Sequence, residues 1–147
     1  MNVLVDTSVW SLALRKKTLT ENEQDCVAEL QELIKELRVA MIGPIRQELL
    51  SGISEIDKYR LLKERLQAFE DVVTTKEDYE KSAEFSNQCR NLGIQGSHTD
   101  FLICAIADTH NMSIFTTDKD FIHYSTVINL RLHEARDEIR GKGKKTT

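Results

Sequence analysis

The chain has 147 residues, 40% apolar and 30% charged, which are the proportions of one ordinary globular domain with a buried core. It contains no apolar run of about 18 residues, so a membrane-spanning helix is excluded. Its formal charge of −4 argues against a passive nucleic-acid-binding surface, which would be basic.

Val3-Leu4-Val5 is a short apolar, β-branched run ending at Asp6, the pattern of a buried strand in a parallel sheet. No basic region precedes it, so it does not resemble a signal peptide, and a cytoplasmic protein is expected. Thr7 and Ser8 open a helix to about residue 15. Between residues 20 and 38, Val27, Leu30, Leu33, Ile34 and Leu37 recur at helical spacing, and Thr20 with Glu23 reads as a capping box. That apolar face is assigned to the core, with a subunit interface as the alternative. Residues 39–42 read as a second buried strand.

Pro44, the sole proline, fits the first position of a helix over residues 44–50, which Gly52 ends. A helix over 56–69, a strand over 71–74 and a polar helix over 76–91 stopped by Gly93 follow. Phe101 to Ala107 is the most apolar segment. Its two alanines and the Ser97-x-x-Asp100 cap favour a helix buried nearly all round, placed at the centre. A strand at 113–116, a short helix at 118–124 and a strand at 127–130 complete the reading. This alternation predicts a three-layer α/β/α domain on a parallel sheet.

Cysteines and histidines offer no site. Cys26, Cys89 and Cys104 form no CxxC pair, and Cys26 and Cys104 are read as small core residues. His98, His110, His123 and His133 lack zinc-ligand spacing. Arg140, Lys142, Lys144 and Lys145 make the end of the chain basic, read as a disordered tail over residues 140–147 after a domain spanning 1–139. Without those four cations, 16 Lys and Arg face 24 Asp and Glu, so the remaining body carries −8.

In open α/β sheets, sites form beyond the carboxyl ends of the strands. Asp6, Glu48, Asp100 and Asp118 fall near that edge, with Asp120 beside them. Singly, each has an ordinary explanation. Asp6 can cap a helix, Asp100 and Asp120 can complete capping boxes with Ser97 and Thr117, and Glu48 can be solvated. Jointly they form a cluster in which neither Asp6 nor Asp100 has an adjacent Lys or Arg. Converging carboxylates raise one another's pKa unless a cation offsets them. Mg²⁺ or Mn²⁺ suits such oxygen ligands and can activate water against a phosphate ester.

These motifs resemble those of PIN domains. Val5-Asp6-Thr7-Ser8-Val9 is similar to the family's opening signature, and Glu48-Leu49-Leu50-Ser51-Gly52 to its E-L-x-x-G segment. Gly93-Ile94 with Asp100-x-x-Ile103-x-Ala105-x-Ala107, and Thr116-Thr117-Asp118-Lys119-Asp120-Phe121, resemble its later motifs. Four in the right order cover most of the chain, and the likeness is strongest to VapC toxins of toxin–antitoxin pairs. The resemblance implies a sheet of about five strands and a Mg²⁺- or Mn²⁺-dependent endoribonuclease. It also implies a homodimer and a VapB-like antitoxin whose C-terminal segment fills the groove beside the acids. By motif, Asp6, Glu48, Asp100 and Asp118 are the metal ligands and catalytic acids, and Asp120 is an auxiliary acid at the metal. Thr7, Ser8 and Thr116 orient ligands or water. Cys104 departs from the small residue often seen beside the central Ile, and the basic tail matches no family motif.

Other classes fit less well. A phosphoacceptor domain needs paired acids near the N-terminus, where Asp6 stands alone. A haloacid-dehalogenase-like phosphatase needs D-x-D where this chain has Asp6-Thr7-Ser8. A catalytically silent PIN-like binding module for RNA or protein, and a PIN nuclease that processes RNA without an antitoxin, remain as alternatives.

Overall fold

The structure is a computed structural model that describes residues 1–141. Eleven elements follow one another: β1 (Val3–Val5), α1 (Thr7–Leu14), α2 (Glu21–Lys35), β2 (Val39–Ala40), α3 (Gly43–Leu50), α4 (Ile56–Leu66), α5 (Lys76–Asn91), α6 (His98–Thr109), β3 (Ser113–Phe115), α7 (Asp120–Tyr124) and α8 (Asp137–Arg140). The three strands form a parallel sheet in the order β2-β1-β3, with Leu4 aligned to Ala40 and Ile114. Parallel neighbours need long crossovers that place helices over the sheet, and all three residues of both β1 and β3 are buried. The fold is the expected α/β class.

Its sheet is narrower than the resemblance implies. The two outermost strands are reduced to single parallel bridges, Met41 with Asp71 and Ile114 with Leu132. At one edge, the chain leaves the ladder after Asp71 because Thr75 and Asp78 close a capping box that starts α5. At the other edge the predicted strand over 127–130 is displaced. Val127 and Ile128 donate to the Tyr124 carbonyl in the turn that ends α7, so pairing begins only when Arg131 accepts from Ile114 N–H at 2.8 Å.

Helix boundaries obey local signals. The Thr20–Glu23 capping box is present, Pro44 sits in the first turn of α3, and Gly52 and Gly93 adopt φ of +85° and +77° after their helices. The second helix stops earlier than predicted. Arg38 N–H returns to the Leu33 carbonyl and Leu37 N–H to that of Ile34, a Schellman closure with Leu37 at φ +57°. Leu37 is therefore expelled, 89% exposed, while Leu30 and Leu33 enter the core.

Phe101 through Ala107 are all buried, so α6 is the central helix anticipated from its composition. Of the three free cysteines, Cys89 and Cys104 are buried and Cys26 half-buried. Among the described residues no helix is long and apolar enough to cross a membrane. The end of the chain divides: Arg140 closes α8, which the sequence did not anticipate, and its guanidinium pairs with Asp137. Lys142, Lys144 and Lys145 lie outside the described residues.

A carboxylate cleft at the sheet edge

From β1 the chain crosses through α1 and α2 to β2 on one side, while β3 adds on the other side of β1. The crevice where strand order changes direction lies beyond the carboxyl ends of β1 and β3, a standard ligand-binding place in such sheets. Asp6 follows β1 directly. Its N–H donates to the Phe115 carbonyl at 2.9 Å, extending the ladder one residue and setting Asp6 beside Thr116.

Asp6 occupies the N-cap position of α1, yet its side chain makes no capping bond. Its Oδ2 instead accepts from Ser8 Oγ at 2.9 Å and Thr116 Oγ1 at 2.8 Å. The two hydroxyls are 3.2 Å apart, and each also serves the loop after β3. Ser8 Oγ accepts from Thr117 N–H and Thr116 Oγ1 from Asp118 N–H, both at 3.0 Å. The ordinary capping explanation for Asp6 is thus displaced by a hydroxyl pair that holds its carboxylate in place.

Asp100 behaves in the same way. Its backbone N–H donates to Ser97 Oγ at 3.0 Å, as a cap requires, but its carboxylate Oδ2 accepts from the Tyr124 hydroxyl at 2.7 Å. Burial pushes the Asp100 carboxyl above its ordinary value; hydrogen bonds from Tyr124 and Ser97 oppose that, and the charges of Asp6 and Asp118 reinforce it. The Tyr124 phenol is itself pushed up by burial and by Asp100, so it remains a donor.

Asp118 Oδ1 accepts from Asp120 N–H at 2.9 Å at the start of α7, whose N-cap residue, Lys119, makes no side-chain cap bond, in place of the predicted Thr117–Asp120 box. Carboxylate oxygens of Asp100, Asp118 and Asp120 lie within 4.8 Å of one another. Asp6 and Glu48 stand outside that triplet but line the same cleft of about 650 Å³. Glu48, exposed on α3, accepts from Thr7 Oγ1 at 3.0 Å across the cleft. Asp6, Glu48, Asp100 and Asp118 therefore line one cleft, and Asp120 lies against Asp100 and Asp118. Thr7, Ser8 and Thr116 each hold one of these acids directly or its neighbouring loop.

Among the described residues, none of these five acids lies in an ion pair with a Lys, Arg or His side chain. Such a set of oxygen donors lacking a protein cation suits a hard divalent ion. No group of metal-binding geometry involving histidine or cysteine occurs among the described residues. The sequence reading missed Tyr124, whose link to Asp100 spans 24 positions, and it gave Ser97 a capping role without its place in the cleft wall. Neither carries a local signal, since both depend on how α6 and α7 meet.

A family model described as the PIN domain matches residues 3–127. No curated protein sequence matches the chain. Among solved structures, FitAcB from Neisseria gonorrhoeae superposes with a TM-score of 0.72 at 22% identity, covering 90% of this chain and 97% of that one. VapBC2 from Rickettsia felis, bound to a DNA fragment from their promoter, gives 0.72 at 18% identity, with 90% and 98% covered. A toxin–antitoxin complex from Klebsiella pneumoniae gives 0.60 at 15% identity, with 82% and 90% covered. At these identities the likeness to solved structures concerns the fold.

Proposed function

This chain belongs to the PIN-domain family, and from that premise we propose that it is a Mg²⁺- or Mn²⁺-dependent endoribonuclease, the toxin of a VapBC-type toxin–antitoxin pair. Membership of the family implies a nuclease, a hydrolase acting on nucleic acid. The observation that carries the finer reading is that Asp6, Asp100 and Asp118 line one cleft, with Asp120 against Asp100 and Asp118, and that among the described residues no cation pairs with any of them. Asp100, Asp118 and Asp120 would hold the ion with Asp6, and Glu48 would hold it through water or join from the opposite wall. A divalent ion there supplies charge neutralisation at a phosphodiester and acidifies water toward hydroxide.

The chain's own groups do the positioning. Ser8 and Thr116 fix the Asp6 carboxylate, and the same two hydroxyls anchor the loop that presents Asp118. Thr7 holds Glu48 toward the cleft. Ser97 and Thr99 on one rim and Gln47 and Ser51 on the other offer neutral hydrogen-bonding groups for ribose and phosphate oxygens. Among the described residues the cleft lining holds no Lys or Arg, so the polyanionic substrate would depend on the metal there, in keeping with the acidic body of the chain.

The Klebsiella neighbour is a toxin–antitoxin complex, which supports a VapB-like protein as the inhibitor of this chain. A homodimer in the cytoplasm completes the reading. The test is incubation of purified protein with total RNA and, separately, single-stranded DNA, with Mg²⁺, Mn²⁺ or EDTA, beside Asp100→Asn. Discrete RNA fragments that require both metal and Asp100 are expected. Cleavage of DNA alone would replace the substrate class. A folded protein that binds no metal and cuts neither polymer would leave the silent binding module as the better account. Light scattering at twice the chain mass, and inhibition by the product of an adjacent small gene, test the partners.

A further inference from the structure

Tyr124 is fully buried, with its ring 4.9 Å from that of Phe101 and 5.2 Å from that of Phe121. Packing of this kind asks only for a benzene ring, and phenylalanine would meet it without the cost of taking a hydroxyl out of water. The hydroxyl has one protein partner among the described residues, the Oδ2 of Asp100 at 2.7 Å. A second feature is built around the same phenol. A Cβ placed on Gly96 would lie 2.4 Å from the Tyr124 hydroxyl oxygen and 2.7 Å from the ring carbon that bears it. Gly96 does not have the positive φ that explains Gly52 and Gly93. Its lack of a side chain is accounted for by the room that the phenol needs.

We propose that Tyr124 is a positioning residue for the carboxylate cleft: seated through Gly96, it fixes the orientation of Asp100 so that the remaining carboxylate oxygen meets a divalent cation together with Asp118 and Asp120. This rests on the metal-dependent reading above. The physical reason is the freedom of the second torsion of an aspartate, which is broad and roughly two-fold in the absence of a partner. Repulsion from Asp6 and Asp118 would otherwise turn the Asp100 carboxylate away from the place where a cation sits. A short bond from a neutral phenol holds it without bringing in a positive charge that would compete with the ion. Partners that hydrogen-bond a metal ligand in this way commonly govern affinity for the metal.

The experiment uses the full chain and three variants, Tyr124→Phe, Asp100→Asn and the pair combined. Mn²⁺ binding is read by calorimetry without RNA, and folding by circular dichroism and thermal melting. The expected result is a Tyr124→Phe protein that melts within a few degrees of the parent and binds Mn²⁺ about 10-fold more weakly or worse. RNA cleavage should recover toward the parent kcat at high Mn²⁺, so the defect appears in the metal requirement. In the Asp100→Asn background the same change should leave Mn²⁺ affinity as it is, because Tyr124 acts through Asp100. A Tyr124→Phe protein with unchanged Mn²⁺ affinity, or one that loses only stability, would overturn the assignment while leaving the nuclease reading intact. A parent protein that binds no Mn²⁺ would overturn both together.

Discussion

Glu29 and Asp100 are both acids that folding draws away from bulk water, and the protein provides for them in opposite ways. Glu29 on α2 is 1% exposed and saturated: Arg136 donates to it from Nε at 2.8 Å, from Nη2 at 3.1 Å and from its backbone N–H at 3.0 Å, and His133 Nε2 lies at 2.9 Å. Burial pushes the Glu29 carboxyl up, but the bonds from Arg136 and His133 outweigh that and leave it lowered to about 2. Asp100 receives a phenol and neighbouring carboxylates, and its carboxyl is raised. The fold can therefore pair a buried acid with cations from a distant segment, since Glu29 and Arg136 are 107 positions apart. Among the described residues no cation pairs with Asp100, and on the metal-dependent reading that leaves the position to a cation from solution.

The strongest break in this contrast comes from the cleft acids. Asp6→Asn or Asp118→Asn should lower RNA cleavage below detection, while the melting temperature of the metal-free protein stays level or rises as repulsion is relieved; activity and melting measured on the same preparation check both. A variant that unfolds would return its acid to a structural role. Asp120→Asn should cost less than Asp118→Asn, because Asp118 Oδ1 also organises the turn by accepting Asp120 N–H. Equal losses would put Asp120 on the metal as firmly as Asp118.

Thr116→Val comes next. It keeps the shape of the side chain and removes the hydroxyl that serves both Asp6 and Asp118, so cleavage should fall by about 10- to 100-fold, with Mn²⁺ affinity falling in parallel. On the saturated side, Glu29→Ala should lower unfolding free energy in urea by about 2–3 kcal/mol, as a buried hydrogen-bonded acid is lost. Its cleavage at low temperature should match the parent, since Glu29 does not line the cleft. Loss of cleavage by a folded Glu29→Ala protein would show that the two regions are not separable.

A pH titration sharpens the same contrast. The Glu29 carboxyl sits near 2 when folded against an ordinary 4.5. Its contribution to stability is complete above about 4.5 and disappears as pH falls toward 2, because the unfolded chain then binds the proton first. The parent should lose melting temperature steeply in that window, and Glu29→Ala should lose less; identical slopes would remove Glu29 from the account. The smallest effect is expected for Thr7→Ala. It frees an exposed Glu48 that water also solvates, so cleavage should drop only a few-fold, and a complete loss would make Glu48 an inner ligand.

Much of this protein is determined within short stretches of chain. The Thr20–Glu23 box, Pro44, Gly52 and Gly93 act through bonds and torsions a few residues away, so the helices they bound are legible directly. The run from Phe101 to Ala107 could be a strand on apolarity alone, but its alanines and the Ser97–Asp100 cap favour a helix, and that helix became the centre of the fold. Asp6, Glu48, Asp100 and Asp118 were legible as cleft residues because strand ends in a parallel sheet share one edge.

Tertiary structure decided the rest, wherever competing local options had similar energies. Leu37 continues an apolar stripe, yet closing α2 onto Leu33 and Ile34 turned it out to solvent. The outer strands shrank to single bridges because the capping box of α5 and the turn after α7 claimed their residues first. Asp100 could cap its own helix or meet Tyr124, and Asp6 could cap α1 or bind Ser8 and Thr116. For Asp100 the choice was made by Tyr124 from α7, and for Asp6 by Thr116 from beyond β3 acting with the nearby Ser8; the approach of Tyr124 and Thr116 depends on the packed sheet and helices.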